Sequence, residues 1–170
     1  MDTRKPKIVC TLVLPIYNMS ILMGKKTDTI GIDQWNGWGG EVEEGETVRE
    51  AAVREFKEES NLSAQKEDLK YFGTATFHNK KKSGVWFVVI VHIFLCYKWR
   101  GKLKVGKGMK NPTFIPINRI PFDNMMPADE FWLPRVLAGR KIYDEYWYSQ
   151  GQQKVERKKI GTMDADSDVD

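Results

Sequence analysis

Residues 35–62, WNGWGGEVEEGETVREAAVREFKEESNL, constrain the chain more than any other stretch. Two glycine clusters lead into a run from Thr47 to Ser60 with helical periodicity, and Thr47 followed by Glu50 fits a capping box at its start. On a wheel of roughly 100° per residue, Val48, Ala51 and Ala52 share the arc that should face a core. Glu55 and Glu59 fall in the middle of that arc and Glu58 at its edge, while Arg49, Glu50 and Lys57 point outward. The inward stripe is apolar in its first half and acidic in its second.

An ordinary surface helix does not do this. A buried, unpaired carboxylate costs several kcal/mol or takes up a proton. Carboxylates crowded together call for cations, and hard divalent ions such as Mg²⁺ or Mn²⁺ take oxygen ligands while keeping sites for water and phosphate. The competing reading is a solvated acidic helix end paired to lysines, but the macrodipole disfavours acids at a helix C-terminus. Gly37, Gly39, Gly40 and Gly45 allow positive φ and a close backbone approach to a ligand. Together, a glycine loop and a carboxylate-bearing helix suggest a site for a metal-bound phosphate chain.

Elsewhere, IVCTLVLPIYNMSILMGKK reads as a strand, a bend near residues 15–20 and a second strand. YFGTATF and GVWFVVIVHIFLCY flank the polar HNKKKS and read as a long hairpin, TFIPINRIPF as a further strand and exit loop. ADEFWLPRVLAGRKIYDEYW reads as a second helix, interrupted or restarted at Pro134. Residues 1–160 are expected to form one α/β domain with a mixed sheet, and the acidic residues 161–170 to lack fixed structure.

Composition bounds the function. The chain has 170 residues, 41% hydrophobic and 29% charged, with net charge +4. This mild basicity suits an anionic small molecule and is too weak to argue for nucleic acid. The apolar run 85–99 contains His92 and Lys98 and is too short to span a bilayer comfortably. No secretory signal is visible, and Cys10 and Cys96 read as free buried thiols. A cytoplasmic monomer without membrane or nucleic-acid partner is the expectation. His78 and His92 lie in strand-like runs with no partner motif, and Lys80 to Lys82 read as a solvated hairpin tip.

The run Gly40, Glu46, Arg54, Glu55, Phe56, Glu58, Glu59 and Leu62 resembles the signature box of the Nudix hydrolases, with Asn61 where glycine is usual. Asparagine is the next best residue for a left-handed cap. TLVL, WNGWGG, IPFDNMMPADEFW and YWYSQGQ extend the likeness toward the branch of that family acting on oxidised purine nucleoside triphosphates. The resemblance implies an α/β/α sandwich with a mixed β-sheet, and Mg²⁺-dependent (or Mn²⁺-dependent) hydrolysis of a nucleoside triphosphate to monophosphate and pyrophosphate. By position, Glu55, Glu58, Glu59 and the Gly39 carbonyl would bind metal, and Arg54 would orient the glutamates. The general base stays open among the three glutamates. Lys26, Gly39 and Gly40 would meet the anionic part of the substrate. Thr11, Asn36, Phe77, Met126, Asp129 and Trp132 would line the base pocket.

The chain departs from that branch at three places. Met126 and Ala128 stand where a tryptophan and a first aspartate are usual, and Ile30 where an aromatic is usual. The loop VGKGMKNP offers lysines where the family often places another acid. The departures leave two alternatives open: another nucleoside diphosphate-linked substrate, or a non-catalytic nucleotide-binding module.

Overall fold

A computed structural model describes residues 6–163 of the chain. Its elements are β1 (Lys7–Tyr17), β2 (Ser20–Lys26), β3 (Trp35–Asn36), α1 (Val48–Ser60), β4 (Leu69–Lys80), β5 (Trp86–Cys96), β6 (Met109–Pro116), α2 (Asp129–Leu137), β7 (Lys141–Gln150), β8 (Val155–Lys159) and β9 (Thr162–Met163). The strands run in the order β3-β2-β1-β5-β4-β7-β8, with β6 beside β2 and β9 beside β7. β1 lies parallel to β5 and β4 parallel to β7, whereas β4 and β5 form the expected antiparallel hairpin. The sheet is therefore mixed.

Successive strand residues point to opposite faces, so β1 serves two cores. Leu14 packs with Ile93, Ala75 and Tyr146 beneath Trp132, Leu133 and Val136 of α2. Its neighbour Val13 packs with Phe94 and Trp38 beneath Ala52 and Phe56 of α1. The result is the expected α/β/α sandwich.

The chain turns between β1 and β2 at Asn18 and Met19, both at positive φ, as a two-residue hairpin turn requires. Pro15 lies within β1 rather than in the bend. The second expected helix is only half present. It runs through Pro134 and ends at Leu137, and Gly139 follows at φ +85°. Residues 141–150 form β7 instead, burying Ile142, Asp144, Tyr146 and Tyr148 with a period of two. That alternation, with its aromatic content, outweighs the helical run before it. Buried Asp144 then ties α2 to β7 by pairing with Arg135 and accepting from the Tyr146 hydroxyl and the Gly161 N–H. Thr162–Met163 extends the sheet past the expected boundary at 160. The rest of the expected acidic tail, 164–170, lies outside the described residues.

Helix α1 starts at Thr47, whose Oγ1 accepts from Glu50 N–H at 3.1 Å; the other half of the expected box is replaced, the Glu50 carboxylate facing Lys66. Arg49 is not the solvated residue expected: it reaches the Lys66 and Leu69 carbonyls and lies over the Phe94 ring. Asn61 ends the helix in the left-handed region, φ +65°, its N–H on the Lys57 carbonyl and its Nδ2 on the Lys102 carbonyl. Asn61→Gly is expected to stay within about 0.5 kcal/mol of the wild type in chemical denaturation. Asn61→Val should lose about 2 kcal/mol, because a β-branched residue resists this conformation.

Candidate active site

The glycine segment after β3 runs beside β1. Thr11 N–H donates to the Gly40 carbonyl at 2.9 Å, and Val13 and Trp38 exchange backbone hydrogen bonds. Trp38, fully buried, pins the segment with Nε1 on the Leu22 carbonyl. The glycines are needed for space more than for φ, since only Gly45 of the four has positive φ. A Cβ on Gly39 would lie 1.8 Å from the Thr11 carbonyl oxygen, and one on Gly40 would lie 2.5 Å from the Glu55 carboxyl carbon. The segment can thus press against β1 on one side and receive the α1 carboxylates on the other.

Arg54 organises those carboxylates. Its Nε and Nη2 grip both oxygens of Glu46 at 3.0 and 2.6 Å, and Nη1 reaches Glu55 at 2.8 Å and Glu58 at 3.3 Å. Nη2 also donates to the Glu41 carbonyl. Planar bidentate pairing of this kind is what a guanidinium supplies and an ammonium does not. It holds the Glu46 carboxyl down at about 2, helped by the Glu43 N–H. Glu55 is 17% exposed and Glu58 58%, so the helix presents one carboxylate inward and one at its rim.

Glu59 has no guanidinium. Its Oε1 accepts the Gly39 N–H at 2.6 Å. Its carboxyl is pushed up to about 8, mainly by burial and also by Glu55 and Asp28, against the Gly39 N–H and Lys26, which pull it down. The helix end is closed by the loop before β6: Lys104 N–H caps the Ser60 carbonyl and Gly106 N–H the Glu59 carbonyl.

Two adjoining hollows share this site. A cleft of about 490 Å³ lies between β1, β4, β5 and α2. Thr11, Lys26, Asn36, Gly39, Gly40, Phe77, Met126, Asp129 and Trp132 all line it, so every substrate-binding residue expected from sequence comes together. Ile30 lines it as well. A smaller hollow of about 360 Å³ holds Glu55, Glu58 and Glu59, and shares Lys26, Gly39, Gly40 and Glu59 with the cleft. Arg54 lines neither hollow and acts through the carboxylates it holds. Asp129 is buried, accepts from Trp132 Nε1 at 3.0 Å, and has its carboxyl pushed up to about 7 by burial. Thr11 is 2% exposed and its Oγ1 has no partner among the described residues. Ala128 is fully buried with its N–H on the Tyr148 hydroxyl.

Sequence reasoning missed several lining residues. Asp28 faces the carboxylate hollow, beside Lys107 of the loop where the family often places another acid, and Asn79 and Cys10 face the cleft. None belongs to a spaced motif, so only the fold brings them there. Cys96 is buried as expected, whereas Cys10 is only partly so. The two histidines have structural partners: His78 meets Glu145 at 2.7 Å and stacks on Trp147, and His92 meets the Tyr71 hydroxyl at 2.9 Å.

Residues 6–138 match the NUDIX domain model, and the chain belongs to that family. It is 35% identical to the oxidized purine nucleoside triphosphate hydrolase of Mus musculus over 132 residues, 78% of this chain and 81% of that protein. It is 32% identical to the Danio rerio protein of the same description over 154 residues, 91% and 94% of the two chains. These relationships make it a Nudix hydrolase. The mutator MutT protein of Bacillus halodurans shares the fold, with a TM-score of 0.73 over 90% of this chain and 97% of its own, at 15% identity.

The donor set suits a hard divalent cation. It consists of carboxylate oxygens and the Gly39 carbonyl, which in extended backbone faces the same side as the N–H that meets Glu59. Among the described residues no three acids, histidines or cysteines converge as a ready-made cage, because Arg54 draws Glu55 and Glu58 while Glu59 turns to Gly39. Crowding of Glu59 by Glu55 and Asp28 is the strain that a cation would relieve.

That strain has a pH signature. Folded Glu59 keeps a proton that the unfolded chain releases near 4.5, and Asp129 does the same from 3.8 up to about 7. Stability is therefore fully present below the unfolded values and is lost as pH rises through the folded ones. In EDTA, unfolding midpoints are expected to fall between pH 4.5 and 8, with Glu59→Gln removing much of the decline. Added Mg²⁺ should raise the midpoint most at pH 8.

Proposed function

We propose that this Nudix hydrolase cleaves purine nucleoside triphosphates with oxidised bases to the monophosphate and pyrophosphate, cleansing the nucleotide pool. The observation that carries the reading is the continuity of the two hollows through Lys26, Gly39, Gly40 and Glu59. A base in the cleft places its phosphates toward the α1 carboxylates. The mouse and zebrafish relatives, described as oxidized purine nucleoside triphosphate hydrolases, support the substrate class.

Glu55, Glu58, Glu59 and the Gly39 carbonyl would hold Mg²⁺ or Mn²⁺, which when bound supplies charge neutralisation on phosphate oxygens and a more acidic water. The chain's own residues do the rest. Arg54 restrains Glu55 and Glu58 on the rim of the hollow, from which their oxygens would turn toward the ion. Lys26 lies near Glu59, with its ammonium pushed down by burial and partly restored by Glu59 and Asp28, and it can pair with phosphate. A glutamate among Glu55, Glu58 and Glu59 orients the attacking water or takes its proton. Phe77 and Trp132 give apolar walls, Asn36 and Asp129 give hydrogen-bonding groups for base edges, and Thr11, its hydroxyl buried, shapes the wall beside them.

The departures at Ile30, Met126 and Ala128 keep a second reading in play, a different nucleoside diphosphate-linked substrate on the same carboxylates. A panel with Mg²⁺ and pyrophosphate detection separates the two. Faster turnover of 8-oxo-dGTP or 2-hydroxy-dATP than of dGTP and dATP is expected. Equal or slower turnover, with a nucleotide sugar or dinucleotide preferred, favours the second reading. Glu59→Gln should cut turnover at least about a hundredfold, and near-normal Mg²⁺-dependent activity in that variant contradicts the site.

A further inference from the structure

The inner wall of the cleft contains a polar group that no motif predicts. Asn79 of β4 is 3% exposed and sits among the apolar Ile8, Phe77, Phe87 and Val89 that line the same space. A buried amide in an apolar wall needs partners for its polar atoms. Its Nδ2 has one, donating to the Phe77 carbonyl at 3.0 Å. That bond also fixes which end of the amide is nitrogen. Its Oδ1 receives no donor among the described residues, yet it is not sealed off as Thr11 Oγ1 is. The accessible remainder of the side chain opens into the cleft that it lines.

Its position relative to Asp129 is set by Tyr148. The β4–β7 register pairs His78 with Trp147 and Lys80 with Gln150, so Asn79 lies beside the backbone of Tyr148–Ser149. The Tyr148 ring stacks near Phe77, centroids 5.7 Å apart at 7°, and its hydroxyl accepts from Ala128 N–H, next to Asp129. One tyrosine side chain therefore separates the Asn79 amide from the Asp129 carboxyl. A planar base lying along this wall meets Asp129 with one edge and Asn79 with another.

We infer that Asn79 Oδ1 reads oxidation at the imidazole edge of a purine, accepting a hydrogen bond from the ring N–H that oxidation creates. In guanine, N7 carries a lone pair and accepts. In 8-oxoguanine the same nitrogen carries a proton and donates. An acceptor fixed in the wall bonds to the oxidised base and opposes the lone pair of the normal one. The inference rests on the oxidised-purine reading of the cleft and assigns a selectivity role to a residue outside its motifs.

The test is calorimetric binding of 8-oxo-dGMP and dGMP to the wild type and to Asn79→Leu, with thermal unfolding as a check on folding. Asn79→Met is used if leucine impairs the fold. The wild type is expected to prefer 8-oxo-dGMP. The variant should lose about tenfold for 8-oxo-dGMP, the worth of one hydrogen bond, and stay within about twofold for dGMP. A folded variant that keeps the full preference overturns the inference and leaves the proposed function standing. Equal losses for both nucleotides also overturn it and make Asn79 a structural residue. A wild type with no preference for 8-oxo-dGMP defeats the oxidised-purine reading, and this inference falls with it.

Discussion

The Arg54 guanidinium is the interaction on which the site depends. Four carboxylates, Glu46, Glu55, Glu58 and Glu59, converge where helix α1 meets the glycine segment, and Arg54 bonds to three of them. Glu46 takes the bidentate grip, which lowers its carboxyl, so it acts as an anchor for Arg54. Glu55 and Glu58 take single contacts, which hold them in place without consuming their remaining oxygens. Glu59 is left to a backbone N–H and the pull of Lys26. The network stores like charge beside a backbone that can come close, an arrangement that calls for cations.

The sheet brings chemistry and recognition together. β1 carries both cores, with Val13 facing α1 and Leu14 facing α2. Thr11, on the same strand, holds Gly40 through its N–H while its side chain lines the cleft. A small shift of β1 would move the carboxylates and the wall of the cleft at once. The smallness of Gly39 and Gly40 matters for the same reason: any side chain there separates α1 from β1.

Much of the site was legible because helix α1 obeys local rules. The Thr47 cap, the apolar arc and the inward carboxylates follow from spacing, the left-handed Asn61 from the glycine that the family resemblance puts there, and the structure shows each of them. The family resemblance named the cleft residues, and all of them line it. The failures have tertiary causes. Residues 141–150 contain helix-compatible charges, but pairing with β4 and burial of Asp144, Tyr146 and Tyr148 make them a strand. Arg49 looked solvated because its carbonyl partners lie 17 and 20 residues away. Asp28 and Asn79 belong to no spaced motif, and only the register of β2 and β4 carries them to the hollows.

On the proposed reading, the carboxylates of α1, two of them restrained by Arg54, close around a divalent cation when it binds. A titration of Mn²⁺ followed by its electron paramagnetic resonance tests it without any substrate. Saturable loss of the free-ion signal is expected with the wild type, and weak or absent uptake with Glu59→Gln in a protein that remains folded. Equal Mn²⁺ uptake by the two proteins, or none by the wild type, would contradict it.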